Sequence, residues 1–142
     1  MNFLNGDPDK GKITTAVLIY IFNENGEILL LKRKKPPYVD YWESVGGHIK
    51  FGEKVEDAAK REVEEETGLS VNNLNSAGVY DHIQGDSFHR IMIAFATKTN
   101  KNSEIRPKEH DEFKWFKMSE LPKNMIPGPF LEAHNLLFKV NK

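Results

Sequence analysis

Three glutamates near the middle of the chain have the spacing of side chains that share one face of a helix. They are Glu62, Glu65 and Glu66, three and four positions apart. Like charges this close repel each other, at roughly 0.2–0.5 kcal/mol per pair on an exposed helix. Hard divalent cations such as Mg²⁺ take carboxylate oxygens as ligands, usually together with substrate phosphates. The three glutamates are therefore candidate metal ligands.

A solvated acidic face is the ordinary alternative for a charged run of this kind. Here an apolar stripe accompanies the glutamates, formed by Val55, Ala59 and Val63 at intervals of four. The three glutamates then lie at the margin of the predicted core, where a charge needs a partner. Asp57 and Glu64 point away from the stripe and are assigned to the solvated face.

The stretch from Gly47 to Leu69 resembles the Nudix box of the MutT/Nudix hydrolase family, G-x5-E-x7-R-E-U-x-E-E-x-G-U, in which U is a bulky aliphatic residue. Every fixed position is filled, by Gly47, Glu53, Arg61, Glu62, Val63, Glu65, Glu66, Gly68 and Leu69. The box covers 23 of the 142 residues. Nine spaced constraints make a chance match rare, so the motif is a strong one.

The resemblance implies roles for the residues of the box. The implied metal-side residues are Gly47, Glu53, Glu62, Glu65 and Glu66, with Gly47 acting through its carbonyl, Glu53 as an accessory residue, and Mg²⁺ or alternatively Mn²⁺ as the cation. The implied catalytic residues are Arg61, Glu62, Glu65 and Glu66. We further expect Arg61 to pair with a neighbouring glutamate and fix its side chain.

The general base stays open between Glu62 and a carboxylate of a later loop, because the family does not use one position for it. Among the later carboxylates we favour Glu112 over Glu109 and Asp111, and we include Glu112 among the candidate catalytic residues. A plain surface charge is an equally good interpretation of Glu112.

Three residues outside the box are candidate substrate-binding residues. Arg33 ends a predicted strand and would meet phosphates, which need cations beyond the metal; a solvated strand end is the equal alternative. Trp42 would stack on a base, although packing at a core edge is the favoured interpretation. His89 would contact substrate from a strand start, against the more common surface or packing role.

Hydrophobic periodicity predicts the elements around the box. Predicted strands cover residues 14–22, 27–32, 76–83, 89–97 and 112–117, and predicted helices cover residues 54–67 and 127–140. Gly68 suits the left-handed position that ends a helix. We expect one α/β domain over residues 1–142 with a loose arm at 1–11, and the resemblance implies an α/β/α sandwich with a mixed sheet.

Composition excludes several classes of protein. A net charge of −1 provides no basic face for duplex nucleic acid, and the absence of cysteine excludes disulfides and thiol nucleophiles. No apolar run approaches the roughly 18 residues of a membrane span, and the first residues lack an apolar signal segment. We expect a cytoplasmic protein, monomer or homodimer, with a small nucleotide substrate and no membrane partner.

The predicted function is Mg²⁺-dependent pyrophosphohydrolysis, which needs neutralised phosphate oxygens, an in-line water and a base. The resemblance would mark ADP-ribose or dinucleoside polyphosphate substrates by a proline or a tyrosine after the box, but Gly85 and Ser87 stand there. We therefore expect a nucleoside triphosphate to give a monophosphate and pyrophosphate. The alternatives are ADP-ribose, a nucleotide sugar, or a non-catalytic Nudix sensing module, which the complete Arg-Glu and Glu-Glu pairs disfavour.

Overall fold

The computed structural model describes residues 11–108 and 110–127, with the backbone alone at positions 110 and 111. The predicted terminal helix over residues 127–140 lies outside the described residues except for Pro127. The predicted N-terminal arm lies outside them except for Gly11. The extent of a single domain over residues 1–142 stays a prediction.

In the described residues, four strands precede a single helix and three strands follow it. In order, its elements are β1 (Ile13–Phe22), β2 (Ile28–Arg33), β3 (Trp42–Glu43), β4 (Val45–His48), α1 (Val55–Thr67), β5 (Asn75–Gln84), β6 (Phe88–Lys98) and β7 (His110–Phe116). Five strands and the first helix agree with prediction to within two residues. The short β3 and β4 were not predicted, because the two glycines of β4 carry no strand signal of their own.

The strands form one mixed sheet, as expected. β1 runs parallel to β6 along its whole length, and the other pairings are antiparallel. The sheet order is β3-β2-β1-β6-β5, with β4 beside β1 and β7 beside β2. The edge of β1 opposite β6 has two partners, because β4 pairs with residues 16–19 and β2 pairs at Phe22. The pairing with β4 brings the start of the box against β1.

Helix α1 packs on one face of the sheet through its predicted apolar stripe. Val63, Ala58 and Ala59 are fully buried in a cluster with residues of β1, β2 and β4. The helix ends at Gly68, whose φ of 79° is left-handed and whose N–H donates to the Glu64 carbonyl, as predicted. The acidic face of α1 is thereby fixed relative to β4.

A second apolar cluster covers the opposite face of the sheet. Successive residues of β1 alternate between the two clusters, with Val17 and Ile19 on the helix side and Ala16 and Leu18 on the other. Strand β1 is therefore buried on both faces. No helix of the described residues is long and apolar enough to cross a membrane.

Candidate active site

A cavity of about 570 Å³ is lined by residues of α1, β4 and the sheet face opposite α1. From the box it takes Gly47, Arg61, Glu62, Glu65 and Glu66, together with the preceding Gly46. From the sheet it takes Leu18, Trp42, His82, Arg90 and Met92, beside Met125 from a later loop. The cavity therefore joins an acidic, glycine-rich region to a wall that is mostly apolar.

Arg61 is the centre of the hydrogen-bond network at the acidic region. Its Nε and Nη2 donate to the two carboxylate oxygens of Glu53 at 2.7 and 3.0 Å. Its Nη1 donates to Glu62 Oε1 at 2.8 Å and to Glu65 Oε2 at 3.2 Å. Nη2 also donates to the His48 carbonyl at 2.9 Å. The expected pairing of Arg61 with a neighbouring glutamate is confirmed, and it extends to three of them.

The two glycines of β4 allow the strand and α1 to approach each other closely. A methyl group on the Cα of Gly47 would overlap the carboxyl group of Glu62, and one on Gly46 would lie 2.6 Å from the Val17 carbonyl oxygen. The N–H of Gly46 donates to Glu66 Oε2 at 3.2 Å. Glu62 and Glu66 are thus held against backbone that only glycine can provide.

Burial and pairing shift the pKa values of the acids in opposite directions. Burial raises the pKa of Glu62 by more than the hydrogen bond from Arg61 lowers it. The hydrogen bond from Arg61 is the main cause that lowers the pKa of Glu53 to about 2. A positive charge beside Glu62 would therefore offset a burial penalty that Arg61 only partly relieves.

The oxygen groups at this end of the cavity suit a hard divalent cation. Glu62, Glu65 and Glu66 bring carboxylates and Gly47 brings a carbonyl to one lining, and Mg²⁺ prefers such ligands. Their carboxylates accept hydrogen bonds from Arg61 and from the Gly46 N–H. Among the described side chains, no group of three His, Asp or Glu residues is arranged to hold a metal ion. A bound cation would take over part of the contacts that Arg61 makes.

Two of the predicted substrate-binding residues line the cavity. Arg33 does so with its charge balanced, because Nη1 donates to both oxygens of Glu43 at 3.2 and 3.1 Å and Nε donates to the Pro37 carbonyl at 2.8 Å. Trp42 is 9% exposed and meets Phe116 edge to face at 5.0 Å, so it packs in the core as favoured while also lining the cavity.

The structure does not bring Glu112, His89 or Glu53 to the cavity lining. The Glu112 carboxylate accepts a hydrogen bond from Lys32 Nζ at 3.1 Å, across the β2–β7 pair. His89 Nε2 lies 3.1 Å from Asp81 Oδ1. Glu53 contacts two lining residues, because its carboxylate accepts from Arg61 and from the Lys50 backbone N–H at 3.0 Å. None of the three lines the cavity, and their roles as base, substrate-binding residue and metal-side residue stay predictions.

Several lining residues were missed by the sequence analysis, among them His82, Arg90, Met92 and Lys50. The alternation within residues 89–97 carried a signal for one of them, because it places a charged residue, Arg90, on the same strand face as Met92 and Ala94. A charge on a buried strand face needs an explanation.

Comparison with known proteins decides the family. The family described as the NUDIX domain matches residues 12–133. The chain belongs to the Nudix family. It is a Nudix hydrolase, an enzyme acting on pyrophosphate bonds, and such hydrolases generally use divalent cations.

This Nudix hydrolase is 32% identical over 115 residues to an oxidized purine nucleoside triphosphate hydrolase of Danio rerio, covering 78% of this chain and 69% of the relative. It is 34% identical over 104 residues to an ADP-ribose pyrophosphatase of Methanocaldococcus jannaschii, covering 72% of this chain but only 62% of that relative. Among solved structures, a MutT NUDIX hydrolase from Burkholderia pseudomallei superposes with a TM-score of 0.78 at 27% identity, covering 87% of this chain and 97% of the other. The fold prediction is confirmed.

Gly47→Ala should separate Glu62 from β4, because the added methyl group needs the space of the carboxyl group. We expect a loss of about 1–3 kcal/mol of folding stability from overpacking and a fall in turnover of about 100-fold from displacement of a positioned group. Denaturant titration and steady-state kinetics measure the two effects. In the double variant with Glu62→Asp, the shorter side chain should restore part of the stability; stability unchanged from Gly47→Ala alone would contradict the proposed overlap.

Glu53 should make stability depend on acid pH. Its pKa is lowered to about 2 from an ordinary 4.5, so its contribution is complete above about 4.5 and is lost as the pH falls from there through 2. The midpoint temperature of Glu53→Gln, followed between pH 6 and 2, should decline less steeply over that window than that of the wild type. The control is Glu56→Gln, an exposed acid of the first turn of α1, which should parallel the wild type. Coincident curves for Glu53→Gln and the wild type would contradict the assignment.

Proposed function

We propose that this Nudix hydrolase is a Mg²⁺-dependent pyrophosphohydrolase that converts nucleoside triphosphates to monophosphates and pyrophosphate. One observation carries the proposal: a single cavity connects the carboxylate and arginine network of α1 to an apolar wall on the other face of the sheet. A nucleotide has the same division into a charged end and a planar, largely apolar end. The Danio rerio relative, named for nucleoside triphosphate hydrolysis, supports the same substrate class.

The phosphates would lie at the box. Arg61 holds Glu62 and Glu65 in fixed orientations, and Lys50 adds an exposed cation to the lining. Arg33 attracts phosphates less strongly than an unpaired arginine would, because its ion pair with Glu43 has no net charge. Mg²⁺, bound by Glu62, Glu65, Glu66 and the Gly47 carbonyl, would neutralise phosphate oxygens and lower the pKa of a bound water.

Glu62 is the general base that we favour over Glu112. It lines the cavity, whereas Glu112 does not, and a base must lie within reach of the water that it deprotonates. Arg61 keeps its carboxylate oriented, with Oε1 bound at 2.8 Å. Glu62 would accept a proton from the attacking water while Arg61 prevents its rotation.

The test is a panel of nucleoside triphosphates, ADP-ribose and nucleotide sugars, assayed with Mg²⁺, Mn²⁺ or chelator, with products identified by mass. The proposal predicts monophosphate and pyrophosphate from triphosphates, and no turnover with chelator. Faster cleavage of ADP-ribose would favour the alternative that the Methanocaldococcus jannaschii relative suggests. A panel with no turnover would favour the sensing module. We further propose that the protein is cytoplasmic and is a monomer or a homodimer.

A further inference from the structure

Arg90 and His82 are buried side chains that line the cavity on strands remote from the box. Each is 4% exposed, and the two lie directly opposite each other in the β5–β6 pair. Neither belongs to the acidic network around Arg61. The phosphate chemistry proposed above therefore leaves them without a role.

Arg90 is held in a defined orientation. Its Nε donates to Thr14 Oγ1 at 3.1 Å across the β1–β6 pair, and its guanidinium lies over the ring of Phe88, 4.8 Å from the ring centre. His82 meets the same ring edge to face at 5.1 Å. A guanidinium carries only hydrogen-bond donors. Arg90 thus lines the cavity as an oriented cation in desolvated surroundings, where a matched acceptor is worth most.

The distance from the box suits the far end of a nucleotide. Arg90 lies opposite Thr14 in the register of β1, and Gly46 lies opposite Leu18. Four residues along β1 and two strand spacings separate their backbones, which is roughly 16 Å at ordinary strand dimensions. A group near Arg90 is therefore about the length of a nucleoside triphosphate away from a phosphate at the box.

The cavity lining between these two points is apolar. It is formed by Ala16 and Leu18 of β1 and by Met92 of β6, whereas Trp42 and Met125 line the cavity on the far side of β2. Such apolar side chains match the faces of a heterocyclic base. A ring with its faces on these side chains would bring one edge toward Arg90.

We propose that Arg90 is a specificity-determining residue that selects bases with a carbonyl at the purine 6 or pyrimidine 4 position over bases with an amino group there. The inference rests on the proposed nucleotide substrate and names its base. A carbonyl oxygen accepts a hydrogen bond from the guanidinium. The amino group of adenine or cytosine would instead place a second hydrogen-bond donor against it, and no bond would form. Burial, and then the charge of Arg90, lower the pKa of His82, so this neighbour stays neutral and adds no competing charge at neutral pH.

The first test compares substrates that differ at this group, dITP with dATP and dUTP with dCTP. The wild type should show a kcat/KM ratio of roughly 5- to 150-fold in favour of the carbonyl base, the range of one bidentate contact to a base edge. Arg90→Met should bring both ratios close to one by slowing the carbonyl substrates. Thermal unfolding of Arg90→Met beside the wild type verifies that the variant folds. Arg90→Lys, which keeps a donor, should retain part of the preference.

The second test measures binding without chemistry, by calorimetry of dIMP and dAMP in the presence of chelator. The wild type should bind dIMP more tightly, and Arg90→Met should bind the two equally. Thr14→Val, which removes the acceptor of Arg90 Nε, should weaken the dIMP preference while leaving dAMP binding unchanged. A purely structural role of Arg90 would alter affinity for both monophosphates alike.

The two tests separate this inference from the proposed function. Hydrolysis of triphosphates with equal rates for carbonyl and amino bases would overturn the inference and leave the function standing. A dIMP preference that Arg90→Met abolishes, in a protein that hydrolyses no triphosphate, would support the inference and overturn the function. Retention of the wild-type preference in Arg90→Met, or binding of neither monophosphate, would overturn the inference.

Discussion

Glu66→Gln should lower turnover by about 10²–10³-fold, the scale of removing one positioned charge-stabilising group, while the fold stays intact. Glu66 Oε2 accepts the N–H of Gly46 at 3.2 Å, and the amide oxygen of glutamine can accept the same bond. The substitution therefore removes the negative charge and keeps the contact. Steady-state kinetics with Mg²⁺ and thermal unfolding of the same preparations measure the two parts of the prediction.

The matched control for Glu66 lies on the same helix. Glu64 is exposed on the face of α1 that points away from the core, so Glu64→Gln should retain wild-type turnover. Wild-type turnover in Glu66→Gln would refute the metal-ligand assignment. A loss of turnover accompanied by unfolding would show instead that the Gly46 contact is structural.

Arg61→Met should reduce both activity and stability, because one guanidinium forms ion pairs with three carboxylates. Without it the buried Glu62 loses its 2.8 Å partner, and Glu53 and Glu65 lose theirs. We expect about 2 kcal/mol of lost stability, the scale of a hydrogen bond to a charged group, and a fall in kcat/KM of at least about 10³-fold.

Added Mg²⁺ distinguishes a charge effect from a packing effect in this variant. Because three carboxylates lose a shared cation, Mg²⁺ should raise the unfolding midpoint of Arg61→Met by more than that of the wild type. The control is Arg106→Met, which removes an arginine from an exposed pair with Glu104, both side chains more than 70% exposed. Exposed pairs contribute about 0–1 kcal/mol. An equal Mg²⁺ response in all three proteins would contradict the cation-sharing role of Arg61.

Prediction from sequence succeeded where the deciding interactions are local. The extent of α1 follows from the period of its apolar stripe and from Gly68, whose left-handed φ ends the helix. Strand β1 follows from a continuous apolar run that is rich in β-branched and aromatic residues. Both patterns are contained in a dozen consecutive residues.

Prediction fell short where partners come from distant strands. Glu112 looked available for catalysis, yet the β2–β7 register places it beside Lys32. Arg33 looked like a free cation, yet the chain turns back and pairs it with Glu43. In both cases the local sequence shows a charge, while the contact that neutralises it depends on strand pairing, which no short window specifies.

The amino-acid sequence by itself determined the Nudix box, the helix that carries it and the acids on its face, because helical spacing and helix-ending chemistry act between near neighbours. Only the tertiary structure decided that Gly47 seats the Glu62 carboxylate, that Arg61 joins Glu53 to the network, and that Arg90 enters the same cavity from the other side of β1. The physical reason is the range of the contacts. Close approach between helix and strand, and the register of β1 with β4 and β6, arise from packing of segments that lie far apart along the chain.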